Sequence, residues 1–176
     1  MMIDALLKAA VRDVPDFPKP GIVFKDITPI LKDAVLCNNV LDAFMQRLQH
    51  LSFDAVAGIE SRGFLFGLML ANRLGVPFVP IRKEGKLPGE TIRQSYALEY
   101  GFATMEMHAD ALIPGSRVLI HDDLLATGGT VVAASELIKQ LDSTVAAFSF
   151  IIALDFLGGR ERLMPYSDQL ISLVSY

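Results

Sequence analysis

The sequence predicts an α/β fold of three layers, with a central, mostly parallel sheet flanked by helices. Short apolar runs of strand length alternate with stretches of helical spacing, and Gly and Pro separate many of them. Apolar residues make up 52% of the 176 and charged residues 20%, which suits one domain, residues 1–176, around a single core. Strands that are apolar on both faces and separated by helices form a parallel sheet covered on both sides. Such sheets bind ligands where strand carboxyl ends run into loops and helices.

Taken in order, Ile3, Leu6, Leu7, Ala10 and Val11 follow helical spacing and open the chain with an amphipathic helix. Pro15, Pro18 and Pro20 forbid a helix interior and make 15–21 an extended, stiff loop. Leu36, Val40, Leu41, Phe44, Met45 and Leu48 mark a second helix with Asp33 as its N-cap. Residues 55–60 form a strand, and a helix follows to about Leu74 and stops at Gly75. Residues 76–81 are the next strand. Residues 82–93, basic and broken by Gly and Pro, are expected to be a mobile loop. Residues 95–98 and 103–108 form a hairpin turning near Gly101, with Met105 and Met107 alternating with the polar Glu106 and His108. Then come a strand at 118–122, a loop at 123–129, a helix at 130–141, and strands at 145–154 and 169–174.

Net charge is −4, which excludes a surface built to hold a polyanion, so no nucleic-acid partner is expected. Cys37 is the only cysteine, which rules out an intrachain disulfide and suits a reducing compartment. The apolar runs at 64–71 and 145–154 are shorter than the roughly 20 residues that span a bilayer, and no secretory pattern opens the chain. A cytoplasmic protein without a membrane partner is the expectation.

The run Val118-Leu119-Ile120-His121-Asp122-Asp123-Leu124-Leu125-Ala126-Thr127-Gly128-Gly129-Thr130 carries the most chemistry. A strand ends in two acids, and a small-residue loop then opens a helix. Main-chain N–H groups at a helix start are unpaired, and the helix dipole favours an anion there. Gly128 and Gly129 admit a phosphate close to the backbone, and Thr127 and Thr130 can add hydroxyl donors. Ionised Asp122 and Asp123 only accept hydrogen bonds, so they suit a ribose diol, which donates. Phosphate on the amides of 126–130 and diol on the acids describe a 5-phosphoribosyl group. A lone Gly-Gly would be an ordinary turn. Strand alternation puts His121 on the face opposite Ile120 and Asp122, so it is expected to be packed and hydrogen-bonded.

This run resembles the phosphoribosyl pyrophosphate fingerprint of type I phosphoribosyltransferases, although His121 stands where the family usually has an apolar residue. Ser61-Arg62-Gly63-Phe64 resembles the pyrophosphate loop of adenine phosphoribosyltransferases. The resemblance implies pyrophosphate binding by Glu60, Ser61 and Arg62, with Arg62 gripping oxygens in a bidentate way, and a non-proline cis peptide at Glu60–Ser61. Arg82-Lys83-Glu84-Gly85-Lys86-Leu87-Pro88-Gly89 and Ser95-Tyr96-Ala97-Leu98-Glu99-Tyr100-Gly101 resemble the family's lid. Residues 82–108 would then form a mobile hairpin lid, with Arg82, Lys83 and Lys86 on pyrophosphate, Tyr100 in the lid, and Glu99 exchanging a proton with the purine.

Residues 16–29 resemble the family's base-recognition segment, so residues 1–33 comprise a helix and that segment. The resemblance implies main-chain contacts to adenine from Val23 and Lys25, stacking on Phe24 and closure by Leu154. Phe17 is expected to be core. The implied activity is a pentosyl transfer in purine salvage: adenine and phosphoribosyl pyrophosphate become AMP and pyrophosphate. Magnesium would be held by substrate oxygens and waters, with no firm protein ligands. A homodimer is also implied, with Arg82 completing the neighbouring copy's site. Transfer to hypoxanthine, guanine or xanthine, and a phosphoribosyl pyrophosphate-sensing regulator, remain alternatives.

Overall fold

The computed structural model describes residues 2–97 and 101–176. Helix α1 (Ile3–Ala10) leads into strand β1 (Arg12–Pro15), which pairs antiparallel with β2 (Val23–Asp26). The loop expected at 15–21 lies between these strands, with only Pro15 drawn into β1. Only residues 16–22 connect its strands, with Gly21 N–H donating to Asp16 Oδ1 at 2.7 Å and a cis Phe17–Pro18 bond. A short helix, α2 (Thr28–Leu31), then precedes α3 (Ala34–Leu48). Asp33 caps α3 as expected, accepting from Val35 N at 2.9 Å and Leu36 N at 3.0 Å.

The main sheet is built from β3 (Ala55–Ile59), β4 (Phe78–Lys83), β5 (Thr91–Ala97), β6 (Phe102–His108), β7 (Arg117–Leu125), β8 (Thr144–Ala153) and β9 (Leu170–Ser175), in the spatial order β5-β6-β4-β3-β7-β8-β9. Strands β4, β3, β7, β8 and β9 run parallel, and the β5–β6 hairpin adds antiparallel at the β4 edge. Helix α4 (Gly63–Leu74) links β3 to β4, α5 (Gly129–Gln140) links β7 to β8, and α6 (Gly159–Leu163) precedes β9. Two apolar cores cover the two faces. Val118 and Ile120 of β7 face the α5 side, and Leu119 faces the α1–α3–α4 side. Each such buried side chain contributes about 1.5–3 kcal/mol relative to an exposed one.

Several boundaries differ from expectation. Strand β4 starts at Phe78, because Val76 N–H turns back to Ala71 O at 3.0 Å and closes the end of α4 beyond left-handed Gly75. Strand β7 continues through Leu125, because Leu124 and Leu125 pair with Ile152 and Ala153. Asp123 therefore lies in a strand, and only 126–128 remain as loop.

The expected mobile loop at 82–93 is strand at its two ends, 82–83 and 91–93, and the turn between them is tied down. Glu106 is only 1% exposed, and its carboxylate accepts from Lys86 N and Leu87 N, each at 2.8 Å. Alternation placed Glu106 on a polar face, but the turn folds over that face and buries it. Burial alone would raise its pKa. The main-chain donors of Leu87, Lys86 and Gly85, with the charge of Arg93, outweigh burial and lower it.

A lowered folded-state pKa contributes stability above the ordinary 4.5 that is lost as pH falls below it. Glu106→Gln is expected to cost about 1–3 kcal/mol in urea unfolding at pH 7. The difference from wild type should shrink at acid pH, and faster hydrogen exchange at both the Lys86 and Leu87 amides would report the same loss.

Candidate active site

Three strand ends converge at the carboxyl edge of the sheet. Strand β3 delivers Glu60, Ser61 and Arg62, β4 delivers Lys83, and β7 delivers Asp122, Asp123 and Leu124. Together they line a cleft of about 290 Å³. The Glu60–Ser61 bond is cis, as the resemblance implied. Gly63 opens α4 against β7, where a Cβ would lie 2.8 Å from His121 O and 3.0 Å from Asp122 Oδ1. A side chain there would push Arg62 away from the acids.

Arg62 Nε lies 2.9 Å from Asp123 Oδ2, and its guanidinium sits 4.9 Å from the centre of the Phe24 ring. One side chain thus joins the acids to the N-terminal hairpin. Phe17, expected in the core, is 51% exposed and meets Phe24 edge-on at 5.2 Å. It widens an aromatic wall beside Arg62, because the short β1–β2 hairpin has too little depth to bury it. A second cavity, of about 550 Å³, is lined by Val23, Lys25 and Leu154 with Ile22, Phe156 and Tyr176. The Lys25 side chain bonds Asp13 at 2.6 Å and lies 3.8 Å from the Tyr176 ring centre.

Burial raises Asp122 well above the ordinary carboxylate value, and the neighbouring Asp123 charge adds to this. Burial also raises Asp123, while Arg62 pulls it back down. Arg62 pairs with Asp123, while burial favours the neutral form of Asp122. His121 is fully buried, with Nδ1 2.9 Å from Ser149 Oγ and its ring edge-on to Phe44. Burial lowers its pKa to about 3, so it is a neutral packing residue, as expected.

Beyond Asp123 the chain turns through Ala126, Thr127 and left-handed Gly128 (φ 79°) into α5. The helix start faces this loop, where its first N–H groups have no helical partner. Thr130 Oγ1 donates to Tyr96 Oη at 3.2 Å, so its hydroxyl is already engaged. The Tyr96 ring lies against Gly129, which carries the β5–β6 hairpin to the mouth of the loop. Tyr96 was legible only as part of the lid motif.

The lid cations divide. Lys83 lines the cleft, whereas Arg82 and Lys86 do not. Arg82 bonds Glu60 at 3.1 Å and the Lys86 carbonyl at 3.0 Å within its own chain. The Glu60 side chain also accepts from Lys83 N at 3.1 Å, so it shapes the loop. Glu99 and Tyr100 lie outside the described residues.

These features define the class. The phosphoribosyl transferase domain family matches residues 31–170. The adenine phosphoribosyltransferase of Cytophaga hutchinsonii is 53% identical over 175 residues, covering 99% of this chain and 97% of its own. The crystal structure of adenine phosphoribosyltransferase from Thermoanaerobacter pseudethanolicus superposes with a TM-score of 0.94 at 49% identity, covering 98% of this chain and 99% of that one. The Saccharomyces cerevisiae enzyme, complexed with an imino-altritol bisphosphate and adenine, superposes at 0.90 with 42% identity, covering 97% of this chain and 98% of that one. The chain belongs to the adenine phosphoribosyltransferase family.

The acid pair has a measurable signature. A carboxyl raised in the fold adds stability below the ordinary value of 3.8, and that stability is lost as pH rises through the folded-state value. Asp122→Asn removes the buried charge. It is expected to raise Tm at pH 7.5 relative to wild type, with the gain vanishing near pH 4. Scanning fluorimetry across pH measures this, and a Tm lowered at pH 7.5 would show that the charge is well accommodated.

Proposed function

We propose that the chain transfers the phosphoribosyl group of phosphoribosyl pyrophosphate to adenine, giving AMP and pyrophosphate. The carrying observation is Arg62, whose one guanidinium touches both the Phe24 ring and Asp123. A base platform and a ribose-binding acid therefore lie within one side chain of each other, as joining a purine to a ribose requires.

The phosphate of the substrate rests on the main-chain N–H groups of the loop from Ala126 to Thr130, and the diol donates to Asp122 and Asp123. A purine stacked on Phe24 takes the place of the Arg62 guanidinium on that ring. Val23 and Lys25 read its edge with main-chain atoms, and Leu154 closes the site. Released from Phe24, Arg62 turns with Lys83 toward the pyrophosphate. The purine nitrogen bonds to the anomeric carbon as the bond to pyrophosphate oxygen breaks, and pyrophosphate leaves with the electron pair. Glu99 takes the ring proton.

No group of three or more His, Cys, Asp or Glu stands ready to hold a metal among the described residues. Asp122 and Asp123 fit a supporting role toward a magnesium ion carried in on substrate oxygens. Such an ion supplies charge neutralisation on the pyrophosphate. Helix α4 exposes Leu65, Leu68 and Met69, an apolar stripe suited to a second copy of the chain in a homodimer. No helix among the described residues is long and apolar enough to cross a membrane. Free Cys37 suits the reducing cytosol.

Purified protein with magnesium, phosphoribosyl pyrophosphate and labelled adenine is expected to yield AMP and pyrophosphate. Hypoxanthine, guanine and xanthine, added together in competition, should be poor acceptors. Asp122→Ala with Asp123→Ala removes charge-assisted hydrogen bonds of about 1.5–3 kcal/mol each, so kcat/KM should fall by about 100-fold or more. Turnover that survives the double substitution, or that prefers another base, refutes the assignment. Light scattering should find a dimer in wild type and a monomer in Leu68→Asp.

A further inference from the structure

We propose that Gly159 and Arg162 of α6 are positioning residues that aim the phosphate loop. This inference rests on the phosphate reading of that loop. After β8 the chain passes through a short helical turn, Asp155–Leu157, and left-handed Gly158 into α6, which lies against the loop. A Cβ on Gly159 would stand 2.2 Å from Ala126 O and 3.0 Å from Leu125 Cδ1. A Cβ on Gly128 would in turn stand 3.1 Å from Gly159 O. The two backbones are in contact with no room for a side chain between them. One residue on from Ala126, Thr127 O accepts from Arg162 Nη1 at 3.0 Å.

Two successive loop carbonyls, those of Ala126 and Thr127, are thus turned toward α6. Both peptide units are trans, since the cis bonds among the described residues are Phe17–Pro18 and Glu60–Ser61. In a trans peptide the N–H points opposite to the C=O. Holding the two carbonyls on α6 therefore aims the N–H groups of Thr127 and Gly128 away from it, toward the mouth of the loop, where they make a nest for an anion. Helix α6 touches no substrate. It decides which way the loop's donors face, and without it the glycine-rich loop is free to rotate these peptides.

The test separates the phosphate from the rest of the nucleotide. Calorimetry measures binding of AMP and of adenosine to wild type, Gly159→Ala, Arg162→Ala and Arg162→Lys. Wild type should prefer AMP. Gly159→Ala and Arg162→Ala should weaken AMP about tenfold and adenosine less than twofold, and should raise KM for phosphoribosyl pyrophosphate more than they lower kcat. Arg162→Lys, which can still donate to Thr127 O, should recover part of the loss. If Gly159→Ala does not fold, Arg162→Ala decides, because its side chain is exposed. An AMP-to-adenosine preference unchanged in Arg162→Ala, or equal losses for both ligands, overturns the proposal. A wild type that turns over adenine yet shows no preference for AMP overturns the phosphate reading, and the brace with it. A wild type that turns over another base but still prefers its monophosphate overturns only the choice of adenine.

Discussion

The parallel pairing of β3 with β7 is the constraint on which the site depends. Its register sets Gly58 opposite His121 and sends both strands out of the same edge of the sheet. Glu60–Arg62 and Asp122–Asp123, more than fifty residues apart in sequence, therefore emerge side by side. Gly63 lets α4 approach within contact of β7, and the Arg62–Asp123 ion pair closes the gap. A slip by one residue would turn Asp123 to the other face of the sheet and break its pairing with Arg62.

That arrangement works against stability. Asp122 and Asp123 are crowded, largely withdrawn from water, and served by one shared guanidinium that also leans on Phe24. Burying like charges together is unfavourable, and a fold selected for stability alone would not keep them. In the proposed complex the ligand presents hydroxyl donors to both acids and a ring to Phe24, which relieves the pair and frees the arginine.

Around this centre the supporting loops are held by groups that touch no ligand in the proposed complex. Glu106 gathers the N–H groups of the turn after β4, Glu60 ties Arg82 and Lys83 to the β3 loop, Tyr96 reaches Thr130 at the start of α5, and Arg162 holds the carbonyl of Thr127. Preorganisation of this kind lets the substrate meet donors that already face the right way. It also explains why the basic stretch after β4 is only partly loop: the cations sit beside a strand edge and a buried acid that fix their backbone.

Local order along the chain was enough to determine the α/β class, the helix ends at Asp33 and Gly75, and the acid–acid–glycine run. Spacing, capping and turn chemistry act within a few residues and are read from neighbours alone. The fates of Phe17, Glu106 and Arg82 were decided only by the tertiary structure. Phe17 stays half exposed because the β1–β2 hairpin leaves one face open. Glu106 is buried because a distant turn folds over it. Arg82 bonds Glu60 because β3 and β4 pair in parallel. The contact of α6 with the loop before α5 belongs with these, since it joins Gly159 to Ala126 across α5 and β8. Burial and partnership between residues far apart in sequence depend on which strands lie side by side, and no local pattern encodes that.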